Sequence, residues 1–160
     1  MADIKQKFGS GNQSITCTLA SLANNSAREA TVIDNSSNLF LDILIQLKIK
    51  SGSSGVSSSG YVNIYAYASA DGGTTYSDNC TGSDAGVTLV SPPNLRLVGA
   101  LNIVANATTY KSVPMSLAAA FGGVLPERVG IVIENKTGAA LDSTENNHAK
   151  FYQGVYAQAA

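Results

Sequence analysis

His148 is the single histidine in a chain of 160 residues, and Cys17 and Cys80 are its two cysteines. An imidazole beside a thiol can generate a nucleophile, and Glu145 in the run Glu145-Asn146-Asn147-His148 could orient the ring. Nothing in the spacing brings either cysteine to His148. No GxSxG, HExxH or phosphate-loop pattern accompanies them. The run therefore reads as a polar turn into a last strand, with His148 half-exposed, and no catalytic residue and no enzyme activity are expected. Neither cysteine belongs to a CxxC pair. Met1-Ala2-Asp3-Ile4-Lys5-Gln6-Lys7-Phe8 has no apolar leader core, so synthesis in a reducing cytosol and two free thiols are expected.

Asp71, Asp78 and Asp84 are the other candidates. Calcium asks for six to eight oxygens, which loop aspartates can supply. Their spacing matches no EF-hand, and their glycine neighbours mark ordinary turns, so no metal or cofactor is expected. The carboxylates show no glycosidase pairing either. Tyr61, Tyr65 and Tyr67 share a strand face with Asn63. Such a row could stack on sugar rings, or be buried under a loop or between subunits, where tyrosine gives contact area at low entropy cost. Trp is absent, which weakens the sugar reading, and a subunit interface is preferred. Phe40 and Leu44, on the preceding strand, are assigned to the same interface.

The strand that must position these residues is Leu39 to Lys50. Each odd position from Leu39 to Ile49 is a large aliphatic, and Asp42, Gln46, Lys48 and Lys50 fall between them. Side chains on a strand alternate faces, whereas a helix would scatter the six around its circumference. Burying six such side chains contributes about 9–18 kcal/mol as an upper figure. The run Ser51 to Gly60 is a flexible Ser/Gly stretch. Tyr61 to Ser69 alternates again, with Val62, Ile64, Ala66 and Ala68 inward. These two strands are expected to form one long hairpin whose Ser/Gly tip projects and whose outer side is covered by another subunit.

Elsewhere, Ile15, Cys17 and Leu19 suggest a first strand, and Glu29 to Asp34 a short one. Asp71-Gly72-Gly73 signals a tight turn, with a return strand from Thr74 to Ser77. Val87 to Val90, Leu95 to Val104, Thr108 to Met115 (broken at Pro114), Arg128 to Glu134 and Lys150 to Tyr156 complete the set. Residues 116–121 form the one short helix, with a Ser cap and a Gly stop. Eight or nine strands without a βαβ rhythm predict an all-β fold, an antiparallel two-sheet β-sandwich of jelly-roll type. Residues 1–13 are assigned to an extended N-terminal arm and 14–160 to a single sandwich domain.

Charged residues make up 13% of the chain and the formal net charge is -1. No basic block is present, which argues against nucleic acid and anionic membranes as partners. So little surface charge suits a subunit held in an assembly better than a free monomer. Six Asn-x-Ser/Thr triplets, at Asn12, Asn24, Asn35, Asn79, Asn106 and Asn135, are read as by-products of polar loops.

Asp3 to Gln13, the Leu39 to Lys50 strand, Tyr65 to Gly73 and Phe151 to Ala157 together resemble small virion proteins of tailed bacteriophages. The resemblance spans nearly the whole chain and rests on texture rather than on a catalytic or metal signature. It implies a capsid decoration, or cement, protein on the virion surface, made in the host cytoplasm. Such proteins commonly trimerise and bind the major capsid protein lattice. The arm residues Ile4, Lys5, Lys7 and Phe8 are the candidate capsid contacts. The rival expectation is an adhesion module, a head- or tail-fibre domain that holds host glycans with its tyrosine face or Ser/Gly loop.

Overall fold

The computed structural model describes residues 3–159; the first two residues of the expected arm and the last of the sandwich domain lie outside them. The fold is all-β, two antiparallel sheets face to face with one short helix. The first sheet runs β1 (Ile4–Phe8) and β2 (Gln13–Ser14), then β12 (Ala149–Ala159), then β5 (Asp42–Lys50), then β9 (Thr109–Lys111) and β10 (Met115–Ser116). The other sheet runs β7 (Ala85–Val87), then β3 (Ala27–Glu29) and β4 (Ile33–Asp34), then β11 (Arg128–Lys136), β6 (Tyr61–Ser69) and β8 (Arg96–Asn102).

The pieces β1 and β2 lie along one edge of β12, β3 and β4 along β11, and β9 and β10 along β5. With each such pair counted as one, eight strands build the two sheets, four in each, and β7 is an added edge. The first strand pairs the last, the last the third and the third the sixth. In the facing sheet the second pairs the seventh, the seventh the fourth and the fourth the fifth. This is the strand order of a jelly roll, as the sequence predicts. The helix α1 (Leu117–Ala120) is capped by Ser116, whose hydroxyl accepts from the Ala119 amide, and Gly122 follows at φ 75°.

The core lies between the sheets. Ile43, Ile45, Leu47 and Ile49 of β5 are fully buried against Val62, Ile64 and Ala66 of β6 and Val129, Ile131 and Ile133 of β11. Two of the six predicted aliphatics are not in this row, because Leu39 is 71% and Leu41 60% exposed. The Asn35 side chain accepts from the Phe40 amide and donates to its carbonyl, closing a turn in which Leu39 takes φ 54°. That turn shifts the alternation, so Phe40 faces inward instead. It lies where a Cβ on Gly154 would be and stands 6.3 Å from the Tyr156 ring. The row is then worth about 6–12 kcal/mol as an upper figure.

The predicted hairpin does not form. β5 belongs to the first sheet and β6 to the facing one, and Ser51 to Gly60 arches between them. Crossing a gap of about 10 Å and reversing direction needs the length that looked excessive for a hairpin tip. The arch is pinned along its length. The Ser51 hydroxyl donates to the Ala105 carbonyl at 2.7 Å, the Ser57 amide to Thr137 at 2.7 Å and the Val56 amide to the Asn106 side chain at 2.9 Å. A Cβ at Gly60 would sit 2.5 Å from the Ile103 carbonyl oxygen, so glycine here serves close packing rather than mobility.

Ile15, Cys17 and Leu19 alternate inward as predicted, but only Gln13–Ser14 joins a ladder. The Ile15 amide bonds to Lys150 in one sheet while Thr16 accepts from Thr31 beside the other, so this stretch crosses the sandwich. Thr74 to Ser77 is likewise loop, not return strand. No helix of the described residues is long and apolar enough to cross a membrane.

Candidate functional site

His148 is buried, not half-exposed. Its Nδ1 accepts from the Lys50 amide at 3.3 Å, and its Nε2 lies 3.0 Å from the Asp142 carbonyl. The tautomer that satisfies both carries its hydrogen on Nε2. With both nitrogens on backbone groups, the ring joins strand to loop and has no free base to offer. Glu145 is occupied too, accepting from the Leu19 and Ala20 amides at 2.8 Å each and pairing with Lys150. Cys17 sits in the main core and Cys80 on the far side of the second sheet, both free and buried. Burial pushes each thiol up to about 12, which leaves little thiolate for nucleophilic work.

The three loop aspartates are spread over three tasks. Asp71 accepts from the Ser69 hydroxyl and the Thr74 and Thr75 amides, and these bonds hold its carboxyl well below the usual range. Asp78 accepts from the Asn94 amide and side chain. Asp84 takes the Thr18 amide and hydroxyl and the Arg28 guanidinium. Burial pushes its carboxyl up, and those bonds more than offset the push, so it too is lowered. Among the described residues no three His, Cys, Asp or Glu side chains gather as a metal cluster.

Asp78 braces residues 70–95 from within, Asp71 ties their start to Ser69 at the end of β6, and Asp84 fastens them to Thr18 and Arg28. Glu29 completes the fastening. It is 1% exposed and receives the Thr81 amide and hydroxyl and the Gly82 amide, at 2.8, 2.8 and 3.1 Å. Beneath the cover lies a second apolar cluster of Ala27, Tyr67, Cys80, Val87, Leu95 and Val132. Tyr67 is fully buried there. It donates to the Ala30 carbonyl at 2.5 Å and meets the Tyr76 ring edge-on at 5.5 Å. A Cβ on Gly130, its cross-strand partner, would fall 2.5 Å from its ring.

The five residues assigned to one subunit interface thus divide. Tyr67 is internal and cannot touch a second copy. Phe40 packs over Gly154 at one end of the core. Leu44 stands half-buried on the outer face of the first sheet, while Tyr61 and Tyr65 point outward from the facing sheet, on the opposite side of the sandwich. The sequence assignment rested on the hairpin, and it fails with the hairpin.

Two surfaces remain. One is a band on the outer face of the first sheet. Strand β1, the expected arm, is extended and laid antiparallel along β12 from Ile4↔Ala159 to Phe8↔Val155. All its side chains are exposed. Ile4 (78% exposed) and Phe8 (52%) line up with Val155, Leu44 and Phe151, while Lys7 points to the other face, 5.6 Å from the Tyr156 ring centre, and Lys5 lies on that same side. The other surface is a groove of about 690 Å³ on the second sheet, beyond the end of the cover. Tyr65, Glu134 and Lys136 form its floor. Glu134 accepts from Asn63 at 3.0 Å and from the Tyr65 hydroxyl at 3.2 Å, and pairs with Lys136 at 3.0 Å. Burial pushes the Glu134 carboxyl up, and the bonds from Asn63, Lys136 and Tyr65 outweigh it and hold it low. Burial and this same carboxylate push the Tyr65 phenol up.

Glu29, Arg28 and Glu134 were not singled out from the sequence. Glu134 follows three aliphatics and shares the outward parity of the tyrosines, which is the signal that could have found it. Glu29 carried none, since its partners lie more than fifty residues away. No family model, curated protein or solved structure matches the chain.

Proposed function

We propose that this protein is a structural component of a virus particle, a decoration subunit that binds the major capsid lattice and stabilises the head. The observation that carries the reading is strand β1. It is held by main-chain pairing to β12 while every side chain is exposed, Ile4 and Phe8 on the outer face of the sheet. Ile4 and Phe8 keep half or more of their surface in solvent, and past the buried Val155 they continue towards the half-buried Leu44 and the exposed Phe151 on the same face. Apolar bands of this kind mark protein contact surfaces. The jelly roll is a frequent architecture of capsid proteins, an analogy at the level of the fold alone. His148, Glu145, Asp71, Asp78 and Asp84 are engaged in holding loops.

The test is occupancy on expanded capsids. Because Ile4 and Phe8 are exposed, the double variant Ile4→Asp, Phe8→Asp should fold as the parent does and lose at least tenfold in capsid affinity. Unchanged occupancy by that variant would overturn the assignment of this surface.

A further inference from the structure

We propose that the open edge of β1 takes up a further strand, an extended segment of a partner chain in which acidic and apolar residues alternate. The inference rests on the reading of β1 as the contact strand and adds how the contact is made. β1 ends its sheet, with β12 on one side and, among the described residues, no strand on the other. The opposite end of that sheet is not free in this way, since β9 and β10 lie against β8. Which main-chain groups face out follows from the ladder. The Gly9 amide donates to the Gly154 carbonyl at 2.8 Å, and bonded and unbonded pairs alternate along an antiparallel ladder. Lys7 and Lys5 therefore spend their N–H and C=O groups on β12, while Ile4, Gln6 and Phe8 turn theirs to the open edge. The Leu41 amide fixes the same phase. It donates to the carbonyl of Val155, the residue opposite Phe8, which thus turns away from β1.

The side chains select the segment. Ile4–Phe8 carries two lysines and no acid, and Asp3, the nearest acid in the chain, stands exposed before the strand. Among the described residues neither Lys5 nor Lys7 forms an ion pair. On an added strand, the residues opposite Lys5 and Lys7 share their side of the sheet, where an acid is stabilised and a further lysine repelled. Residues opposite Ile4, Gln6 and Phe8 fall on the outer face, where apolar side chains cover Ile4 and Phe8. A second copy of β1 does not fit, because two such strands laid antiparallel about Gln6 set Lys5 opposite Lys7 twice over. In strand addition the main-chain bonds give affinity and the alternate side chains give specificity.

The experiment titrates the intact chain into dye-labelled capped peptides at low ionic strength, one alternating Asp with Val and one alternating Lys with Val, and reads fluorescence anisotropy. The Asp peptide should bind at least tenfold more tightly than the Lys peptide, and the double variant Lys5→Glu, Lys7→Glu should reverse that order. Gln6→Pro removes an open-edge amide that no bond to β12 uses, and proline is tolerated on such an edge. It should leave the urea midpoint unchanged and weaken the Asp peptide at least tenfold. On binding, the amides of Ile4, Gln6 and Phe8 should gain protection from hydrogen exchange, which attraction to the lysines alone would not give. No binding of the Asp peptide, equal binding of the two peptides, binding indifferent to Gln6→Pro, or no gain in protection would each overturn the proposal. The capsid assignment is decided separately, by the occupancy of Ile4→Asp, Phe8→Asp, so the strand-addition mode can fail while that assignment stands.

Discussion

At the scale of single residues, the buried polar groups have more to explain than the exposed ones. Glu29 and His148 are both almost inaccessible, and both hold distant backbone in place. Removing Glu29 leaves the Thr81 and Gly82 amides without their acceptor. Glu29→Ala should therefore cost about 1–3 kcal/mol in urea unfolding, and Cys80 beneath the cover should react faster with a thiol reagent in the native variant. An unchanged Cys80 rate would show that the cover does not depend on this carboxylate. Neither role was legible in the sequence, since most partners of Glu29 and His148 are main-chain atoms, those of Glu29 and the Lys50 amide on His148 lie in remote segments, and no residue type announces them. The tyrosines were legible in part. Their shared face follows from alternation, but whether a face is covered by loop or by subunit depends on where residues 70–95 travel.

At the scale of elements, strand character was readable wherever alternation ran long, as in Ile43 to Ile49, Tyr61 to Ser69 and Val129 to Ile133. The pairing of those strands was not. Neighbours in the chain, β5 and β6, lie in different sheets, and the arch joining them has the composition of a flexible tip although hydrogen bonds pin it. The cover of the second sheet has a pH signature of known sign. Asp71 and Asp84 have lowered folded values, so the stability they supply is complete above the ordinary carboxylate value of about 4 and is lost as pH falls below it. The urea midpoint should be lower at pH 3 than at pH 6. Near-ultraviolet dichroism from Tyr67 and Tyr76, uncluttered by Trp, should fall with it. A midpoint equal at the two pH values would mean that these carboxylates contribute nothing.

At the scale of the molecule, two opposite faces carry different chemistry, an apolar band on the first sheet and a polar groove on the other. On the capsid reading the band meets protein and the groove faces away from the lattice. Trimer formation belongs to that proposal. Light scattering should return about three times the subunit mass of 16.5 kDa, and a single-subunit mass at the concentrations used for capsid binding would remove the trimer from it.

The place of β12 has a consequence for synthesis. The last strand lies between the first and the third, so as the chain emerges from the ribosome the row Ile43 to Ile49 gains its β12 neighbour only after every strand of the facing sheet is out. Until Ala149 to Val155 are out, one edge of β5 is open, and Ile4 to Phe8 have no strand to lie along. An open edge of this kind invites pairing with other chains. Translation speed through the final segment, and any chaperone that shields β5 meanwhile, should therefore govern how much protein is recovered folded rather than aggregated.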